Sequence, residues 1–518
     1  MIFALLVYTY ICMSNAKKLT VGIDSAWQSL PANEWNEENA RHLLNRAGWT
    51  ATPERIKVAV SEGLGKTLNR LFSLGAMSQG MTKPPSVVRF ENEERELQAS
   101  IRGASSPEER AKFRREIQNK ERNGINDLAM QWITDASNPE NSAFYKWVLF
   151  LSDVYVVGAD KVRNPTLIHQ HFNIIARNAY ITAPSLTKEI SRSPAMIQYL
   201  DLNRSDKKAP NENFARELFE LFVLGEGNYN ETDIKESAKA FTGYRAKGER
   251  FYLSNQQHDS GVKSIFDNTG RFSGDDVIDI AYRQPAAGTF LPREMIKFYL
   301  TDSEIPNEYL DVLGKEWSKR NYSLRTLLGM FFGSRLFYSK EFKNNYIKSP
   351  IQFYCGLVQD IGIKVSPLQR LVTQPLRSMG QMPFYPPNVR GWVGGTNWIN
   401  SSTLQARRQT VENLFATIDE KTLNADEQKQ LTLAKENGNY NFTFNEKSLV
   451  EISKLSNKEA SFALCHKFLP NPSNQILHNI ERFLGTPTLK SKKENGISTF
   501  KLKRASVIIL QSPEYQLC

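Results

Sequence analysis

The residues most able to do chemistry fall in two stretches. Glu212, Arg216, Glu217 and Glu220 lie close together, and His258, Asp259, Asp275 and Asp276 follow downstream. Carboxylates beside one imidazole can hold a divalent cation or supply an acid–base pair for hydrolysis. On that reading Glu212, Glu217 and His258 are catalytic, while Glu220, Asp259, Asp275 and Asp276 hold the metal. Arg216, Asn388, Trp392 and Trp398 are the candidate binding residues. The two tryptophans, set among Gly391, Gly394 and Gly395, suit an aromatic platform of the kind found in sugar- or peptide-binding clefts. A purely structural reading takes the same residues apart. Glu212, Arg216 and Glu220 then form an internal ion-pair row, and Asp275 or Asp276 caps a helix through Ile278. His258-Asp259 becomes a turn, and the tryptophans become packing.

Other reactive residues exclude more than they suggest. His169 and His171, two apart on a helix, point about 200° apart and cannot share one ion, so one should pack and one face water. His42 sits among leucines as a core histidine, and His466 and His478 lie in a polar region without partner motifs. Cys12, Cys355, Cys465 and Cys518 form no CxxC pair, which excludes a zinc ribbon or thioredoxin-like motif and leaves open a Cys355–Cys465 bridge. The acidic turns at 226–230 and 267–275 lack calcium-loop spacing. Gly391, Gly394 and Gly395 are not followed by the Lys-Ser/Thr of a phosphate loop. No nucleophile elbow and no assembled serine or cysteine triad is visible.

The elements that must position these residues are helical. Projected at helical pitch, Phe214, Leu218, Leu221 and Phe222 share one face, with Phe219 and Val223 opposite. This predicts a helix buried nearly all round, in which Arg216 bridges Glu212 and Glu220. Gly225 ends it, and Asn230 to Asp233 cap the next helix, whose Ile234, Ala238 and Phe241 face inward. Thr52-Pro53 opens a helix that stops near Gly63, and Asn164-Pro165 opens one with Ile168, Phe172, Ile175 and Ala179 inward. Residues 91–124 read as a solvated helix pair laced by surface ion pairs. Residues 246–275 predict a long loop with a short hairpin, and Gly380 to Asn400 a second loop. Between them helices run from Asp275 to about Ile361. Residues 419–500 read as polar and peripheral, and Arg504 to Leu510 as a return to the core. The fold class is mainly α: a multi-helical core with long irregular loops and little or no sheet.

The stretch Ala209 to Gly225, continued through Ala240-Phe241-Thr242-Gly243-Tyr244, resembles the signature of the domain of unknown function 1800 (DUF1800) family. The resemblance extends through His258-Asp259-Ser260-Gly261, Gly270 to Asp279, Lys348-Ser349-Pro350, Pro386 to Trp392, Trp398-Ile399-Asn400 and Ser512 to Gln516. It implies an exported, helical protein of bacterial type, often encoded beside a second protein of a sulfatase-like family, and it brings no established reaction. Relatives commonly carry Trp-His-x-His-Phe where this chain reads Leu151-Ser152-Asp153-Val154-Tyr155, so both histidines are replaced.

The chain has 518 residues, 40% hydrophobic and 23% charged, with 29 Phe, 19 Tyr and 8 Trp, enough to build a sizeable core. Its net charge of +11 is spread along the sequence and comes with no nucleic-acid reading module. Ile2 to Met13 is an apolar run too short to span a bilayer, and Ser14-Asn15-Ala16 suits cleavage after Ala16, although no Lys or Arg precedes the run. The expected organisation is a secretion signal at 1–16, an N-terminal helical region at 17–135, a family core at 136–415 and a peripheral region at 416–518. The expected function is an exported, periplasmic or secreted binding or assembly component of the cell envelope, with a polar cleft between the Glu212 helix and the Trp392 loop. A metal-assisted hydrolase is the alternative, and a basic nucleic-acid binder the third reading.

Overall fold

Proline and small polar residues set most of the helix starts. Pro53, Pro85, Pro107, Pro165, Pro194 and Pro350 each occupy a first helical turn, where the missing N–H costs nothing. Asn36, Ser106, Asn164, Thr182, Ser323, Ser349 and Asn400 accept hydrogen bonds from free amides just inside their helices. The computed structural model describes residues 19–73, 80–444, 446–486 and 496–518. The apolar start, with Cys12 and the expected cleavage after Ala16, lies outside them. Among the described residues the only sheets are two antiparallel hairpins, so the fold is mainly α.

The helix Ser142–Val154 runs through the middle of the core, with nearly every side chain buried. It packs against Glu37–Ala47, Pro107–Ala136 and Pro165–Arg177. Trp49, Trp132, Trp147 and Trp317 are fully buried, and one continuous apolar cluster reaches from Ala26 to Tyr515. Helix Ala287–Tyr299 closes against Asn307–Ser318 where Gly288 meets Gly314. A Cβ added at Gly314 would stand 2.6 Å from the Gly288 carbonyl oxygen, so glycine permits this approach. No helix among the described residues is long and apolar enough to cross a membrane.

Several expectations change. Residues 246–275 contain two hairpins, Tyr244–Lys247 with Arg250–Leu253 and Lys263–Ile265 with Asn268–Gly270. Residues 419–500 are more regular than their polarity implied, with helices Ala425–Glu436, Asn457–Phe468 and Asn474–Gly485 among them. Each begins at an Asn or Ser cap and buries a few apolar side chains. His169 and His171 are both buried, because each finds a partner inside: His169 Nε2 meets the Met81 carbonyl at 2.9 Å. His171 Nε2 meets the Tyr155 carbonyl at 3.0 Å, and its Nδ1 meets Ser193 Oγ at 2.9 Å. Cys355, Cys465 and Cys518 are buried free thiols, so the Cys355–Cys465 bridge does not form.

The Glu212 helix departs from its expected geometry in an informative way. It is α-helical over Asn213–Glu217 and then winds as a π-helix over Leu218–Val223, so the Leu224 and Gly225 amides both bond the Phe219 carbonyl. Wider winding turns Glu220 off the row begun by Glu212 and Arg216. Arg216 is half-exposed and pairs with Glu212 at 3.2 Å and with Glu231 at 2.8 Å. Glu220 bonds elsewhere, to the Tyr229 hydroxyl at 2.8 Å and to Arg390 at 2.6 Å. The internal three-residue ion row is therefore not formed.

Candidate functional site

Lys146, Phe150 and Asp153 recur at i, i+4 and i+7 on the Ser142–Val154 helix, which places them on one face. That face looks into a cleft made of two adjoining chambers. The larger, about 740 Å³, is walled by Glu220, Leu221, Leu224, Arg293, Asp311 and Arg390 among others. The smaller, about 270 Å³, is walled by Lys146, Phe150, Tyr346, Trp392 and Trp398. Asp153, Val154, Glu294, Lys297 and Arg390 line both, so the chambers meet over the end of this helix. The cleft lies between the C-terminal end of the Glu212 helix and the Trp392 loop, with helix Ala287–Tyr299 as its third wall.

The loop sits on the acid. The Trp392 amide donates to Asp153 Oδ1 at 2.9 Å, and Gly391, at φ +75°, has no Cβ because one would stand 2.1 Å from that oxygen. Burial pushes the Asp153 carboxyl up to about 7; the Trp392 N–H pulls it back and the Glu294 charge adds to the rise. Glu294 itself pairs with Lys297 at 2.9 Å. Burial also brings the Lys146 ammonium down to about 7; Cys518 opposes that shift, and Arg46 and Lys348 reinforce it. At the far rim Arg390 bridges Glu220 and Glu226, each at 2.6 Å. The Trp392 indole N–H is buried with no hydrogen-bond partner among the described residues.

The residues singled out by sequence are divided by this geometry. Glu220, Trp392 and Trp398 line the cleft, and Glu217 lies beside it, its carboxyl raised by burial and by the Glu220 charge. Asn388 is exposed and shapes the turn under Arg390, whose amide donates to Asn388 Oδ1 at 2.8 Å. Glu212 and Arg216 belong to the surface pairing with Glu231. His258 Nδ1 meets the Thr242 carbonyl at 2.8 Å, and the Asp259 amide donates to Thr242 Oγ1 at 2.8 Å, so this pair stands beside the first hairpin. Asp275 is ion-paired with Arg192. Asp276 accepts from the Ser273 amide at 2.8 Å in a capping box, so Ser273 is the cap and neither aspartate is. Among the described residues no group of three or more His, Cys, Asp or Glu is placed to hold a metal ion.

Sequence reasoning missed Lys146, Asp153, Glu294 and Lys297. A signal existed for the first two: both are charges in Ala143-Phe144-Tyr145-Lys146-Trp147-Val148-Leu149-Phe150-Leu151-Ser152-Asp153, a helix apolar on every side. Val154 lines both chambers, whereas Ser152 Oγ turns back to the Leu149 carbonyl at 2.9 Å.

Fold and cleft together define a mainly α protein with a mixed-charge, ligand-sized cleft. The chain belongs to the DUF1800 family, described as a protein of unknown function, whose family model matches residues 42–517. No curated protein and no solved structure shows a significant match to the chain.

Proposed function

We propose that the protein is an exported binding component of the cell envelope that holds a polar, hydroxyl-rich ligand such as a saccharide in the two-chamber cleft. The observation that carries this reading is the unpartnered indole N–H of Trp392 at a cleft wall where charged groups meet aromatic faces. Buried donors are nearly always satisfied, and a ligand oxygen would satisfy this one. Trp392, Trp398, Phe150 and Phe298 offer flat apolar faces, and Asp153, Glu294, Lys297 and Arg390 offer donors and acceptors for hydroxyls. The combined volume suits a ligand of a few sugar rings.

Titrating the purified protein with methyl glycosides and short envelope oligosaccharides, read by tryptophan fluorescence and calorimetry, tests the reading. Saturable binding that Trp392→Ala abolishes is expected; peptides that bind while every saccharide fails would overturn the ligand class. Export is supported by the apolar start and the small residues before Lys17, and sequencing the mature N-terminus from a periplasmic or culture fraction checks it. The family resemblance supports a sulfatase-like protein as assembly partner, testable by co-purification of the two. For the metal-assisted hydrolase, Glu212 pairs with Arg216 and His258 bonds the Thr242 carbonyl, and no specific observation favours that reading. Nor does any favour a nucleic-acid binder.

A further inference from the structure

Lys146 is 3% exposed and has no carboxylate within ion-pair distance among the described residues. Its Nζ makes two hydrogen bonds, to the Gly48 carbonyl at 3.0 Å and to Gln352 Oε1 at 2.9 Å. The Gln352 amide is oriented by its own Nε2, which donates to the Asn45 carbonyl at 2.8 Å, so its oxygen faces the lysine. Both contacts are therefore N–H donations. An ammonium has three N–H groups and would leave one unmet in a buried site; a neutral amine has two, both used here, and keeps a free lone pair. Trp49 and Tyr299 present ring faces 5.7 Å away, and Arg46 and Lys348 are the cations nearby. Desolvation next to other cations is how proteins make lysine nucleophilic.

We propose that Lys146 is a nucleophilic amine that condenses with the aldehyde or ketone carbonyl of a small hydroxyl-rich ligand inside the smaller chamber. This deepens the reading of the cleft as a ligand site and rests on it. The Nζ lone pair forms a C–N bond to the carbonyl carbon, while the carbonyl π pair moves to oxygen; one of the two nitrogen protons then passes through solvent to that oxygen, giving a neutral carbinolamine. The C–O bond then breaks, the hydroxyl leaves as water on taking a proton from solvent, and nitrogen loses its remaining proton to solvent. The product is an imine; the balance is one carbonyl compound plus one amine giving one imine plus one water, with no redox change. Phe150, Trp392 and Trp398 wall the chamber with apolar surface, which limits the water that would hydrolyse the imine. Access runs through the larger chamber, which meets this one at Asp153 and Arg390.

The test is reductive trapping of the full-length protein with glycolaldehyde and cyanoborohydride between pH 6 and 9, with modified lysines located by peptide mass mapping. A surface lysine near its ordinary pKa is almost wholly protonated at pH 7, so Lys146 should react about 10- to 100-fold faster than surface lysines there. Its rate should reach half its maximum near pH 7. Lys146→Met should remove that fast phase. Should the variant fail to fold, the site-resolved rates in the unaltered protein still decide. Lys146 reacting no faster than surface lysines in the folded protein overturns the proposal. Methyl glycosides have no free carbonyl, so their binding tests the ligand cleft separately. Binding of methyl glycosides without trapping removes only the reactive amine, and trapping without such binding removes only the saccharide class.

Discussion

The Glu212 helix and the Ser142–Val154 helix both carry charges in strongly apolar sequence, yet the two sets of charges have opposite fates. Arg216 reaches out to Glu212 and Glu231, and all three side chains keep a third or more of their surface in water. Such pairs are screened and contribute little. Lys146 is buried at the wall of the smaller chamber and Asp153 is walled in at the cleft, and neither has an ion-pair partner among the described residues. Burial brings both to proton affinities near neutrality, from opposite directions. What separates a reactive charge from an ordinary one here is the loss of water without a compensating counter-charge, not the residue type or its apolar neighbours in sequence.

The largest effect that would break this contrast is expected at the loop that covers Asp153. Gly391→Ala puts a Cβ against the carboxylate at a positive φ, and should cost about 3 kcal/mol in urea or guanidinium unfolding. If the loss is negligible, the loop does not bear on the acid as described.

A smaller effect should come from the charge itself. The folded-state pKa of Asp153 is raised from 3.8 to about 7, so between those values the folded protein holds a proton that the unfolded chain has released. This contribution makes stability fall as pH rises through that window. Asp153→Asn keeps an acceptor for the Trp392 amide, and should flatten the fall and add about 1–2 kcal/mol at pH 8, a figure reduced for the carboxylate's contact with cleft water. Lys146 acts in the reverse sense: lowered from 10.5 to about 7, it makes stability rise with pH across that range. His171, lowered from 6.5 to about 4, makes stability rise between those values and so opposes Asp153 there. Unfolding curves of Asp153→Asn, Lys146→Met and His171→Gln across pH 4 to 10, compared with the unaltered protein, separate the three contributions.

The smallest effects sharpen the comparison from its two ends. Arg390→Ala removes the link between Glu220 and Glu226 at the cleft rim, and should weaken ligand binding about tenfold while leaving the fold intact. Arg216→Ala, on the neighbouring turn, should leave binding unchanged and the thermal midpoint within measurement scatter. Equal effects of the two on binding would mean that the cleft extends over the Arg216 row.

Much of the scaffold is legible in the amino-acid sequence. Asn164-Pro165, Asn230 with Asp233, and Gly225 at φ +83° mark helix ends through local hydrogen bonding and backbone sterics, which need no distant partner. The inward faces of Ile168, Phe172 and Ile175, and of Ile234, Ala238 and Phe241, follow from helical periodicity, and all are buried; Ala179 is buried too, but past the end of its helix at Arg177. The candidate site is legible only in part: Glu220, Trp392 and Trp398 do line the cleft. The π-winding after Glu217 is hidden, because an extra residue in a turn leaves no mark in composition.

By itself, the sequence determined the α-helical class, several helix ends and which faces are apolar, since each depends on residues a few positions apart, and its collinear motifs identified the family. Tertiary structure alone decided which charges lose their water. Lys146 is desolvated by segments as distant as Gly48, Tyr299 and Gln352, and Asp153 by a loop some 240 residues away in the chain. Desolvation sums over every neighbour in space, and only the folded chain supplies those neighbours.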